Sequence, residues 1–223
     1  MKRRTAILIS GRGSNMAALI AASLDPAFPA EVALVLSNRP LAAGLGAARM
    51  AGVHAEAIDH SDFGSDRAAH EAAINTALRA ADIEIVCLAG YMRLLTPVLV
   101  QAWQGRMLNI HPSLLPSFPG LQTHARALAA GVKLHGCTVH LVTQEVDAGP
   151  ILAQAAVPVL PGDTEAALAG RVLDQEHAIY PAALAALVTG TAALPQPAAS
   201  LVNPLPWQQP PLRNVTKADD QIT

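Results

Sequence analysis

Short apolar runs alternate along the chain with longer alanine-rich stretches. Residues 6–10 (AILIS), 32–37 (VALVLS), 83–89 (IEIVCLA) and the run around 107–110 (MLNI) are continuous, contain β-branched residues and end at turn residues. Those features predict buried strands. Between them, 15–22 and 41–51 predict helices, the second stopped by Gly52, and a third is expected from about 65 to 80. Arg67, Glu71 and Arg79 give that third helix a polar face. Thr96-Pro97 has the form of an N-cap followed by proline at the first helical position. Strand–helix–strand alternation implies an α/β fold, a single open, mostly parallel sheet flanked by helices and joined by right-handed crossovers.

After Pro112 the pattern changes. HPSLLPSFPG, residues 111–120, is too proline-rich for a helix or a strand and predicts an ordered loop. Residues 136–143 (GCTVHLVT) and 150–159 (PILAQAAVPV) then predict two strands joined by a loop containing Asp147-Ala148-Gly149. A long helix is expected from Asp163-Thr164-Glu165 to about Leu187, with Asp163 as its N-cap. Beyond Pro195 the chain is rich in Pro, Gln and Ala without periodicity, so the expected division is a catalytic-sized domain over 1–194 and a loosely docked tail over 195–223.

Composition narrows the class. With 52% hydrophobic and only 3% aromatic residues, Ala, Leu and Val must build the core, and a wholly disordered chain is excluded. The formal net charge of -2 provides no global basic field for a nucleic-acid backbone. Two cysteines, Cys87 and Cys137, are too few for a disulfide scaffold or a zinc cluster. The apolar run after Lys2-Arg3-Arg4 ends at Gly11, short of a signal-peptide core of roughly 7–15 residues. Prolines interrupt the uncharged stretch 178–212, where a spanning helix needs about 20 continuous apolar residues. A cytoplasmic protein is expected, with no membrane or nucleic-acid partner, as a monomer or homodimer.

Three places carry candidate chemistry. SGRGSN, residues 10–15, lacks the last glycine of a dinucleotide fingerprint, since Met16 stands there, and lacks the Gly-Lys-Ser/Thr of a P-loop. A glycine-bearing turn feeding a helix N-terminus suits one phosphate monoester; it equally suits a tight turn whose glycines serve only geometry. Asn109 and His111, two apart at a strand end, project to one side, where an amide donor and an imidazole could stabilise an oxyanion and move a proton. The ordinary role of either residue alone is a cap or a satisfied buried bond. Asp147 would favour an imidazolium at His111 and orient the ring if it reached it, although a loop carboxylate is usually just solvated. His135 and His140 are an odd number apart in one strand and face opposite sides; His54, His60 and His70 lie in scattered polar contexts. No cluster has zinc spacing, and no metal is expected.

In order along the chain, ISGRGSN, AGYMRLL, LNIHPSLLPSFPG, VDAGPI and QEHAIYP closely resemble the phosphoribosylglycinamide formyltransferase family of purine biosynthesis, over about residues 5–190. The resemblance implies a Rossmann-like formyltransferase fold and transfer of a formyl group from 10-formyltetrahydrofolate, as co-substrate, to the amine of glycinamide ribonucleotide. By matched position it implies Asn109, His111 and Asp147 as the catalytic trio, and Gly13, Ser14, Asn15 and Glu176 on the ribonucleotide side. It places Arg67, Met92, Arg93, Leu94 and Leu95 against the folate, together with Asn109 and the loop Thr143, Gln144, Glu145, Val146 and Asp147. Arg12 stands where many relatives carry Asn, and Leu173 replaces a polar residue of the substrate-binding helix. The Asn-x-His-Pro-Ser-Leu-Leu-Pro block is also similar to methionyl-tRNA formyltransferase, which adds a C-terminal tRNA-binding domain, and to formyltetrahydrofolate deformylase, which adds a regulatory domain in front. A chain with strand one at its start and a short non-basic tail sets the expectation of the transferase. A deformylase acting on the same site and a non-catalytic nucleotide- or folate-binding module are the competing readings.

Overall fold

In the computed structural model, which describes residues 1–191, seven strands form one sheet. The expected tail over 195–223 and the boundary at 194 lie outside the described residues. The strands are β1 (Arg3–Ile9), β2 (Ala30–Ser37), β3 (His54–Ala57), β4 (Ile85–Leu88), β5 (Met107–His111), β6 (Leu134–Leu141) and β7 (Ile151–Pro158). Their order is β3-β2-β1-β4-β5-β6-β7. The first five are parallel; β6 and β7 add antiparallel to β5 and to each other. The chain moves outward from β1 to β3, then returns to place β4 on the other side of β1. That reversal opens a crevice at the carboxyl ends of β1 and β4, where α/β sheets collect ligands.

The helices are α1 (Ser14–Ser23), α2 (Ala43–Met50), α3 (Arg67–Ala80), α4 (Pro97–Ala102), α5 (Thr123–Ala129) and α6 (Glu165–Thr189), with a short 3-10 turn at His60–Phe63. Strand residues alternate between two cores. Ile7, Ile9, Val35, Cys87 and Leu108 point to the face packed with residues of α1, α2, α5 and α6. Ala6, Leu8, Leu34, Val86 and Met107 point to the face covered by Ile74 and Leu78 of α3 and Leu99 of α4. Every one of these ten strand residues is at most 1% exposed, so the sheet is buried on both faces, as a parallel sheet requires. The largest fully buried side chain, Tyr180 of α6, donates its hydroxyl to Leu88 O (2.9 Å) and Leu108 O (3.3 Å), tying the helix across β4 and β5. Burial pushes the nearby Cys87 thiol up to about 12, which leaves it an inert core group.

Several expectations change. Thr164, not Asp163, caps α6, its hydroxyl accepting from Ala167 N–H; Asp163 instead takes Leu160 N–H and a two-nitrogen contact from Arg171. Glu71 does not lie on a solvent face of α3, being 2% exposed and turned inward. His70 is likewise buried, with its Nε2 on Ile58 O. Both β3 and α5 are elements beyond those expected. No helix among the described residues is long and apolar enough to cross a membrane.

Candidate active site

The turn after β1 is shaped by two glycines. Gly13 caps α1 with φ 77°, a left-handed backbone that a side chain would resist, and no side chain caps the helix. The first N–H groups of α1 are therefore left for an outside acceptor. Gly44 lets α2 press onto the turn: its N–H donates to Gly11 O, and an added Cβ would lie 2.5 Å from Ile9 and 3.0 Å from Gly11 O. Ser14 and Arg12 are exposed at the turn. Asn15 points inward and donates from Nδ2 to Glu176 Oε2 at 2.6 Å, joining α1 to α6 inside the protein. Burial pushes the Glu176 carboxyl up, while Asn15, His177 and His111 draw it back down. The Asn15 Oδ1 is buried without a protein partner. Leu173, one turn before, is half-buried.

Asn109 and His111 lie at the carboxyl end of β5, two residues apart on an extended strand. The antiparallel register sets Asn109 opposite His140 and His111 opposite Thr138, so β6 brings a histidine into the site. His140 Nδ1 lies 3.0 Å from Leu141 O and its Nε2 lies 3.2 Å from Asn109 Nδ2. The network assigns one tautomer: Nδ1–H donates to the carbonyl, and the bare Nε2 accepts from the Asn109 amide. Burial is the largest influence on His140 and holds it below the ordinary histidine range, which favours this neutral ring. Asn109 is thereby fixed with its amide nitrogen turned toward β6.

Asp147 completes the group. The β6–β7 loop folds back so that its Oδ2 sits 3.5 Å from His111 Nδ1, with Oδ1 3.8 Å from His140 Nε2. Asp147 Oδ2 also accepts Gly120 N–H at 2.8 Å, and His111 Nε2 meets Phe118 O at 3.1 Å. The proline-rich loop thus holds both partners: a carbonyl takes the far side of the histidine, and an amide takes the carboxylate. Arg126 braces the loop through Pro119 O and Leu121 O and lies over the Phe118 ring. Thr138 Oγ1 donates to Ser113 O and accepts Leu115 N–H, fastening the same loop from β6. Phe118, Gln122 and Asp147 all adopt positive φ between 54° and 56°, a costly backbone concentrated where the side chains converge.

The strip expected to contact folate leaves β4 beside the turn. Met92 and Leu94 are 66% and 60% exposed, while Leu95 is half-buried and packs with Tyr91 on the α3–α4 core. Val146 (58%) and Leu121 (76%) add exposed apolar side chains on the other loops. Arg93 is half-buried; Thr143, Gln144 and Glu145 are exposed, with Thr143 Oγ1 bonded to Glu145 O. Arg67 is exposed at the start of α3, and its side chain makes no hydrogen bond or ion pair among the described residues. The structure therefore brings Asn109, His111 and Asp147 into one group and pairs Asn15 with Glu176, without joining Arg67 to either. Residues that sequence reasoning missed are His140, Gly120, Leu121 and the Phe118 carbonyl. No group of three or more His, Cys, Asp or Glu among the described residues is arranged to hold a metal. A cleft at the other end of the sheet, between Arg4, Glu84, Trp103 and Arg106, contains none of these residues.

The chain and its fold have counterparts. The formyl transferase family model matches residues 3–184. A phosphoribosylglycinamide formyltransferase of Escherichia coli is 46% identical over 175 residues, 78% of this chain and 82% of that protein. The trifunctional purine biosynthetic protein adenosine-3 of Drosophila melanogaster is 50% identical over 193 residues, 86% of this chain; the chain spans only 14% of that longer protein. The crystal structure of the phosphoribosylglycinamide formyltransferase from Brucella melitensis superposes with a TM-score of 0.81 at 56% identity, covering 85% of this chain and 97% of that one. By the family model and by these relatives, the chain belongs to the phosphoribosylglycinamide formyltransferases of the formyl transferase family.

Proposed function

We propose that this chain transfers the formyl group of 10-formyltetrahydrofolate to the amine of glycinamide ribonucleotide, giving the formylglycinamide ribonucleotide and tetrahydrofolate. The observation that supports the reading is a pair of polar side-chain groups near each other, with His111 acting on Glu176. An uncapped helix start with Asn15 and Glu176 lies at one strand end, and the Asn109–His111–Asp147 group lies across the crevice. The helix start and Ser14 suit the phosphate of the ribonucleotide, and Glu176 suits its polar glycinamide side. The exposed Met92, Leu94 and Val146 suit the flat apolar body of the folate, with Arg93, Arg67 and the 143–147 loop around it.

The chemistry follows from the charges that develop. The amine attacks the formyl carbon, forming a C–N bond and a tetrahedral centre with negative oxygen and positive nitrogen. Asn109 and a protonated His111 donate to that oxygen, with the His111 N–H leaving Phe118 O to do so. The new ammonium loses one proton and the folate nitrogen gains one as its bond to carbon breaks, so the proton balance closes without an external acid. Asp147 beside His111 relays it, directly or through water. The reading needs no metal and no covalent enzyme intermediate. The partners are these two small molecules, without nucleic acid or membrane, and the enzyme acts in the cytoplasm as a monomer or homodimer.

The test is product identity. Incubation with both substrates is expected to yield a ribonucleotide heavier by one CO unit, detected by mass spectrometry. Release of free formate in its place would replace this reading with the deformylase. Binding of both ligands without any turnover would replace it with a non-catalytic module.

A further inference from the structure

Two buried polar side chains outside the candidate catalytic group grip the strip that follows β4, one at each end. Ser10, the residue after β1, is 4% exposed. Its backbone N–H donates to Gly90 O at 3.2 Å, and its Oγ accepts Met92 N–H at 2.8 Å, so one residue holds the strip on both sides of Tyr91. The Ser10 hydroxyl proton goes to Asn38 Oδ1, and Asn38 is itself 2% exposed and bonded through its carbonyl to His60 Nδ1. At the other end stands Glu71 of α3. Its carboxylate accepts Thr96 N–H at 2.7 Å, Thr96 Oγ–H at 2.6 Å and Leu99 N–H at 3.2 Å.

A carboxylate is rarely buried unless its acceptor capacity is filled, and here three donors from one neighbouring segment fill it. Between the two grips the strip is exposed at Met92 and Leu94 and anchored inward at Tyr91 and Leu95. A strip of exposed apolar residues keeps a fixed shape only if its backbone is fastened from behind, and Ser10 and Glu71 supply those fasteners.

We infer that Ser10 and Glu71 are positioning residues for formyl-folate, acting through the 90–96 strip and touching neither substrate. This rests on the proposed function, in which Met92 to Leu95 contact the folate. Loosening either end makes the ligand order the strip as it binds, which weakens folate affinity and leaves the chemical step in place. The ribonucleotide turn is fastened separately, through Gly44 N–H on Gly11 O and the Asn15–Glu176 bond, so its affinity is spared.

The experiment compares wild type, Ser10→Ala, Glu71→Gln and Glu71→Ala in full steady-state kinetics, with direct titration of 10-formyltetrahydrofolate by calorimetry. Glu71→Gln keeps the size but sets an amide N–H against donors, and Ser10→Ala tests the opposite end without touching the helix caps. Expected is a rise in folate KM and Kd of about tenfold in Ser10→Ala and Glu71→Gln, larger in Glu71→Ala. Ribonucleotide KM and kcat are expected to stay within about threefold. Folate KM and Kd unchanged in Ser10→Ala and Glu71→Gln overturns the inference while leaving the function intact. So does a loss of kcat and both affinities in proportion to protein unfolded, read from circular dichroism. Failure of wild type to bind 10-formyltetrahydrofolate removes the functional reading, and the inference with it.

Discussion

Replacing Asp147 separates its two roles. Asp147→Asn keeps the shape and leaves a carbonyl oxygen for Gly120 N–H, but removes the charge 3.5 Å from His111 Nδ1. With an effective dielectric constant of about 20, a full charge pair at that distance is worth at most about 5 kcal/mol. In the proposed mechanism the His111 N–H meets the oxyanion only as the tetrahedral centre forms, so the loss falls on the transition state. Removing one preorganised electrostatic group typically costs about 10²–10³ in turnover, or roughly 3–4 kcal/mol, which fits beneath that ceiling. The expected result is therefore a kcat lower by about 10²–10³, with KM for both substrates within a few-fold. The assay is the initial rate of formyl transfer with both substrates saturating. Asp147→Ala also deletes the anchor for Gly120 and should additionally raise KM. If Asp147→Asn is within threefold of wild type while Asp147→Ala is crippled, the carboxylate serves as a loop fastener and its electrostatic role is refuted.

Three further outcomes follow from the geometry. An added Cβ at Gly149 would lie 1.8 Å from Leu141 O, a backbone atom that cannot move aside, so Gly149→Ala displaces the loop carrying Asp147. A displacement of about 1 Å there should lower kcat about 10²-fold in the same assay, and an unchanged kcat would refute the placement. Burial, with the His124 ring beside it, holds His135 down to about 4 against an ordinary 6.5, so the unfolded chain binds the extra proton between those values. Stability is then complete above about pH 6.5 and falls by up to about 3 kcal/mol as pH drops toward 4. Urea midpoints measured across that range should fall less steeply in His135→Gln; equal slopes would assign the acid sensitivity elsewhere. Tyr180→Phe removes the hydroxyl shared by Leu88 O and Leu108 O and should cost about 0.5–1.5 kcal/mol by urea denaturation, with a null result contradicting the tie between α6 and the sheet.

Much of the fold was legible because buried parallel strands write themselves as continuous apolar runs. β1, β2, β4 and β5 emerge from that signal, and Thr96-Pro97 marks the start of α4. β3 is four residues, HAEA, too short and too polar for a period to appear. α5 is seven residues following a proline-rich loop, with no capping side chain to announce it. At α6 the expected cap Asp163 is engaged by Arg171, eight residues beyond it, and the neighbouring Thr164 caps the helix. In the site, Asn109 and His111 share a side because a strand repeats every two residues. His140 ranks low in sequence since its place opposite Asn109 depends on β6 pairing antiparallel in one register. The reach of Asp147 depends on a loop folded back through a positive φ, which no local pattern encodes. Glu71 reads as a surface residue because its three donors lie 25 to 28 residues away.

The most direct measurement is the rate of tetrahydrofolate release from 10-formyltetrahydrofolate with and without glycinamide ribonucleotide. Transfer through a shared site requires release to depend on the ribonucleotide, at least 10²-fold faster in its presence, and to collapse in Asn109→Ala by about 10²–10³ while ribonucleotide binding persists. Release that is equally fast without the ribonucleotide would contradict formyl transfer and leave hydrolysis as the chemistry of this site.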